Sequence, residues 1–97
     1  MTVALDTPFR LDPLVALRPE RFGALAYHFG NRRLSFVKHP DLVAVLERAD
    51  GATTVEAALV AVGVDESRWP SFLAALETLE RSEVVRVAVP VGEAAAS

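Results

Sequence analysis

Gly30-Asn31, set between two runs of alternating apolar residues, constrains this chain more than any other feature. The pair tolerates the positive φ angles of a tight two-residue hairpin turn, so it dictates which residue stands opposite which. Counting outward, Phe29 faces Arg32, Tyr27 faces Leu34 and Leu25 faces Phe36. Leu25, Tyr27, Leu34 and Phe36 then share one face of the ribbon, and Ala24, Ala26, His28, Arg33, Ser35 and Val37 share the other. A slip of one residue would carry the four large apolar side chains into water, so the register is strongly specified and those four are expected on the inside.

The 97 residues make one small domain. A chain of that size buries about 60 to 65% of the surface its unfolded state exposes, which leaves little room for a deep enzymatic cavity. It has no cysteine, hence no disulfide framework and no thiolate to hold zinc or act as nucleophile. The N-terminal residues lack a basic start and a continuous apolar run, and no segment approaches the roughly 18 apolar residues of a membrane span. A cytoplasmic protein without membrane contact, cofactor or metal is expected.

Along the chain, residues 14–17 read as a first strand stopped by Pro19, and residues 18–21 as a turn or irregular connection. Strands over 23–29 and 32–38 follow. Pro40 suits a first helical turn, and Leu42, Val43, Leu46 and Ala49 recur at helical spacing up to Gly51. Thr53 and Glu56 form a capping box opening a second helix over 55–62, which Gly63 ends. Pro70 belongs to the first turn of a third helix, whose stripe of Trp69, Phe72, Leu73, Leu76 and Leu79 runs to about residue 82. Residues 84–89 read as a short closing strand stopped by Pro90. The expected organisation is a flexible segment over 1–11, a domain over 12–89 and a flexible tail over 90–97. Its class is α+β and winged helix-turn-helix-like: an N-terminal three-stranded antiparallel sheet, three helices and a short C-terminal strand.

Charge is distributed unevenly. Residues 1–39 carry six basic and three acidic side chains, whereas residues 40–97 carry four basic and ten acidic. An acidic partner would approach Arg32, Arg33 and Lys38. DNA binding through the third helix has the wrong sign, because that helix exposes Glu77, Glu80 and Glu83 against Arg81. Catalysis lacks a site: His28 and His39 have no carboxylate at helical spacing, there is no Gly-rich phosphate loop, and no serine sits in a nucleophile elbow.

The run RLDPLVALRPERFGALAYHFGNRRLSFVKHPDLVAVLE resembles the PqqD-like family of recognition elements for ribosomally made, post-translationally modified peptides, in particular those serving mycofactocin biosynthesis. The resemblance covers roughly residues 10–89. It implies a non-catalytic chaperone that binds the leader of a precursor peptide by β-strand addition and presents it to a radical S-adenosylmethionine maturase. It also implies that the leader lies against the third strand, Arg32, Leu34, Ser35, Phe36, Val37 and Lys38 with Arg33, and beside the third helix at Phe72, Leu73 and Leu76. Leu34, Phe36, Leu76 and Leu79 serve equally well as core, and the core is the expected place for them. A long closing strand would close the docking edge if it paired there. The alternatives are a winged-helix DNA-binding regulator and a module that self-associates into a homodimer through its edge strands. If carboxylates of a leader meet the basic strand, Arg33→Glu weakens leader binding and flattens its salt dependence; titrations at low and high salt check this, and unchanged affinity at both removes the charge argument.

Overall fold

The computed structural model describes residues 3–87. In chain order the elements are β1 (Pro8–Leu11), β2 (Val15–Glu20), β3 (Gly23–His28), β4 (Leu34–Val37), α1 (Pro40–Glu47), β5 (Asp50–Thr54), α2 (Val55–Val62), α3 (Trp69–Arg81) and β6 (Val85–Val87). A single 3-10 turn, Glu66–Arg68, precedes α3. Strands β2, β3 and β4 form one antiparallel sheet with β3 in the middle. This is the expected α+β arrangement of a three-stranded sheet and three helices, but a second three-stranded sheet, ordered β5-β1-β6, accompanies it.

The hairpin register is the expected one: Leu25 pairs with Phe36 and Tyr27 with Leu34. Its turn differs. The Arg32 amide donates to the His28 carbonyl at 2.8 Å and the His28 amide donates to the Arg33 carbonyl at 3.0 Å, which makes residues 29–32 the loop. Arg32, not Gly30 or Asn31, takes the left-handed conformation, with φ of 62°. Gly30 is there for room, since a Cβ would lie 2.8 Å from Cε1 of the His28 ring.

Which face is buried is also reversed. Ala24, Ala26, His28 and Val37 are buried, while Leu34 is 51% and Phe36 59% exposed. Helix α1 packs on this sheet and contributes Leu42, Val45 and Leu46 to the core. Alanines at the centre of the sheet's inner face leave space for that helix, and the large residues are relegated to the uncovered side. Strand β2 runs on through Pro19, which pairs with Ala24, so residues 18–20 are strand and not turn. Its place at the sheet's edge accommodates a residue with no amide to donate.

The N-terminal segment expected to be flexible instead supplies the middle strand of the second sheet. Phe9, fully buried at 0% exposure, pairs with Val87, and Arg10 pairs with both Asp50 and Arg86. Further back, the amides of Val55 and Glu56 donate to the carbonyls of Thr7 and Leu5. β5 therefore extends to Thr54, which takes the N-cap role expected of Thr53 and accepts from the Ala57 amide at 3.2 Å. Gly63 closes α2 in the left-handed conformation as expected. Trp69, half-buried, donates its indole N–H to the Val64 carbonyl at 3.0 Å and ties α3 to the end of α2. The expected closing strand is present over Val85–Val87 and pairs with β1; residues 88–89 and the tail over 90–97 lie outside the described residues.

Phe9→Ala distinguishes a core strand from a frayed terminus. Truncating a fully buried phenylalanine costs about 3 to 5 kcal/mol, a large share of a small domain's stability. Urea unfolding followed by Trp69 fluorescence should show that loss, against less than about 0.5 kcal/mol for a surface change.

Candidate functional site

The β4 edge is open. β6 pairs with β1, and among the described residues no strand lies on the outer side of β4. Antiparallel alternation follows from the bond between His28 and Arg33, so Ser35 and Val37 turn their backbone groups toward β3. Leu34 and Phe36 consequently turn their N–H and C=O groups outward, as two donors and two acceptors. Gly23 protects the closeness of this ladder: with φ of 149°, it passes so near that a Cβ would meet the Val37 carbonyl oxygen at 2.1 Å.

Where β4 ends, Lys38 and His39 lead into α1, and a groove of about 370 Å³ opens between α1 and α3. It is lined by His39, Leu42, Arg68, Ser71, Phe72 and Ala75. Leu42, Phe72 and Ala75 give it an apolar floor. Arg68 donates to Asp41 at 2.9 Å, and its guanidinium carbon lies 5.2 Å from the Phe72 ring centroid. With both side chains about half exposed, the ion pair is worth at most about 1 kcal/mol. Its role is to hold a cation beside an apolar groove.

The residues expected at the site divide between surface and core. Arg32, Arg33, Leu34, Phe36 and Lys38 are exposed along β4 and its flanks, and Ser35 is half-buried. Phe72 is in the groove floor and Leu73 packs half-buried against the core. Val37 and Leu76 are core residues at 1% and 0% exposure, and Leu79 is buried with them. Leu34 and Phe36, for which the core was expected, are instead on the surface. His39, Leu42, Arg68, Ser71 and Ala75 were missed. Arg68, Ser71, Phe72 and Ala75 recur at helical spacing, a signal that could have identified this flank of α3.

A buried polar cluster holds the near end of β4. Asp12 and His28 are both almost fully buried. The His28 Nδ1 accepts from the amides of Gly30 and Asn31 at 3.0 and 3.1 Å, so its proton belongs on Nε2, which lies 3.5 Å from Oδ1 of Asp12. Nε2 makes no hydrogen bond at that distance; Oδ1 accepts the Leu14 amide at 2.8 Å, and Oδ2 accepts from Nε of Arg86 at 2.6 Å. The Leu14 amide first, and then Arg86, hold the Asp12 carboxyl below the usual carboxylate range. A carboxylate whose folded pKa is depressed contributes stability that is present above its unfolded value of 3.8 and is lost as pH falls through the folded value. Asp12→Asn should therefore flatten the acid side of the stability profile; urea midpoints measured from neutral pH to below 3.8 check it, and equal slopes for both proteins would refute the assignment.

Comparison with known proteins gives a family for this geometry. The model of the Peptide chaperone MftB family matches residues 8–86, a span that takes in both sheets. The chain is 44% identical over 80 residues to the peptide chaperone MftB of Mycobacterium ulcerans (strain Agy99), covering 82% of this chain and 73% of the relative. It is 41% identical over 80 residues to that of Mycobacterium tuberculosis (strain ATCC 25618 / H37Rv), with the same coverage of 82% and 73%. Against that of Mycolicibacterium smegmatis (strain ATCC 700084 / mc(2)155), identity is 40% over 87 residues, covering 90% of this chain and 85% of the relative. No solved structure matches.

Proposed function

We propose that this chain, which belongs to the peptide chaperone MftB family and so to a family of chaperones and not of enzymes, captures the leader of the mycofactocin precursor peptide as an added strand on β4 and presents the precursor to a radical S-adenosylmethionine maturase. The observation that carries this reading is the open edge of β4, where the backbone groups of Leu34 and Phe36 turn outward, followed in the chain by His39, which lines a groove with residues of α1 and α3. An extended chain paired there would satisfy two donors and two acceptors, a sequence-tolerant grip, while side-chain pockets supply selectivity.

Magnitudes decide how the grip is divided. Four backbone hydrogen bonds contribute about 2 to 6 kcal/mol in all. Ordering a disordered leader costs about 2 to 5 kcal/mol or more, so the strand alone leaves little net affinity. One apolar anchor buried on Leu42, Phe72 and Ala75 would add about 1.5 to 3 kcal/mol. Arg32, Arg33, Lys38 and Arg68 favour a leader with carboxylates, acting mainly on encounter and selectivity. No bond chemistry is required of the chaperone: holding the leader raises the effective concentration of the precursor's reactive end at the maturase and limits its orientations. The same edge would also pair two copies, which makes self-association the competing reading.

An amide NMR titration with the precursor peptide, and duplex DNA as control, tests the reading. Shifts should gather at Leu34, Phe36, Arg68, Ser71, Phe72 and Ala75, with none from DNA. Phe36→Ala and Phe36→Pro separate ring from amide, because both lose the ring and only proline loses the outward donor. The proline variant should bind the leader roughly five- to tenfold more weakly than the alanine variant. Equal affinities, or a silent β4 accompanied by concentration-dependent mass, would replace strand capture with self-association.

A further inference from the structure

His28 is a buried titratable group that peptide capture does not use, and the fold leaves its two ring nitrogens in unequal positions. It closes β3 and is 3% exposed. Nδ1 accepts from two amides, Gly30 at 3.0 Å and Asn31 at 3.1 Å. The neighbouring amides have other partners: Phe29 donates to the Leu14 carbonyl, Arg32 to the His28 carbonyl and Arg33 to Oδ1 of Asn31. Among the described residues, the amides of Gly30 and Asn31 are held by the ring alone. On the opposite side of the ring Nε2 is buried and makes no hydrogen bond, 3.5 Å from Oδ1 of Asp12.

Asp12, 4% exposed, is the anion that faces the ring, and Arg86 of β6 stands behind it on Oδ2. Arg33 is opposite His28 in the hairpin and shares its side of the sheet, with the guanidinium-bearing side chain exposed. Val15, opposite His28 on β2, and Leu42, Val45 and Leu46, which α1 packs on this sheet, are apolar. A neutral imidazole has one donor and one acceptor nitrogen, whereas an imidazolium has two donors. With Nε2 already protonated, a second proton goes to Nδ1, where it meets two N–H groups that the ring then no longer accepts. The charged ring is attracted the other way, toward Asp12, whose oxygens keep free lone pairs after serving the Leu14 amide and Arg86.

We propose that His28 is a proton-operated latch on the loop over residues 29–32. The neutral ring shuts the loop and holds the near end of β4; the second proton transfers the ring's bonding to Asp12 and opens the loop, while the far end of β4 stays paired. Closure needs Nδ1 unprotonated, so it is complete above the range in which histidine gains charge and is lost as pH falls through it. The loop delivers Arg33 and Leu34 to the start of β4, so a peptide strand is held best with the latch shut. That consequence, unlike the latch itself, rests on the function proposed above.

The test follows the full chain by NMR between about pH 8 and about pH 5. Ring nitrogen shifts should show Nε2 protonated and Nδ1 bare at the upper end. As the ring takes its second proton, hydrogen-exchange protection at the Gly30 and Asn31 amides should fall about tenfold or more, while that of the Val37 amide holds. His28→Asn offers a side-chain oxygen in place of Nδ1 and does not titrate, so its loop protection should not change over this range. Affinity for the precursor peptide should drop about threefold or more from the upper to the lower end in the wild type relative to His28→Asn. Both proteins keep His39 beside the groove, so the comparison cancels its effect. A proton on Nδ1 at the upper end, a ring that stays neutral to the lower end, or protection that survives ring protonation overturns the latch. So does protection at Val37 lost in step with the loop, which is acid unfolding. If the loop opens as expected but the peptide binds at neither end, capture on β4 fails and the latch stands.

Discussion

Asp12 is the joint on which the two sheets turn. Its amide donates to the Val84 carbonyl, where the chain leaves α3 for β6, and its carboxylate takes the Leu14 amide, where the chain enters β2. Arg86 reaches the same carboxylate from the second sheet and the His28 ring approaches it from the first. Desolvating a carboxylate is costly unless its lone pairs are filled, and here the Leu14 amide and Arg86, from two separate parts of the chain, must be in place to fill them. His28 in turn holds the loop that delivers Arg33 and Leu34 to the start of β4. The open edge of β4 is thus held in place by contacts within the chain itself.

A second constraint follows from covering the sheet on one side only. Helix α1 needs flat ground, and Ala24 and Ala26 supply it. Once Ala24 and Ala26 face the helix, alternation forces Leu25, Tyr27, Leu34 and Phe36 outward, which gives the sheet its aromatic outer face. The edge and the outer face share Leu34 and Phe36, whose backbones serve one and whose side chains belong to the other.

Pairing in the hairpin was legible because alternation leaves only one register that keeps like residues together. Its inside was not, since volume favours Leu25, Tyr27, Leu34 and Phe36 for the core and only the helix's close approach reverses that preference. β1 and β5 were hidden for a different reason. Pro-Phe-Arg-Leu and Asp-Gly-Ala-Thr-Thr have little strand character alone and acquire it from partners some forty or more residues away. The cations around β4 could be read from composition, and Arg68, Ser71, Phe72 and Ala75 from spacing. What spacing does not reveal is that Leu42 and His39, from another element, complete the groove.

The brevity of β4 matters beyond recognition. Four residues are bracketed by Arg32-Arg33 on one side and Lys38-His39-Pro40 on the other. An open edge beside aromatic residues is the seed of cross-β polymerisation, and short length, like charge and a proline that cannot donate are how soluble proteins blunt one. Chains stacked at the ~4.8 Å cross-β spacing would force these cations into register with their own copies. Any strand added to β4 would, however, carry the unpaired row of amides and carbonyls on its own outer side. The solubility of such a pairing would then be governed by the gatekeeping residues of the added strand, which would itself need the charges that stop a further one.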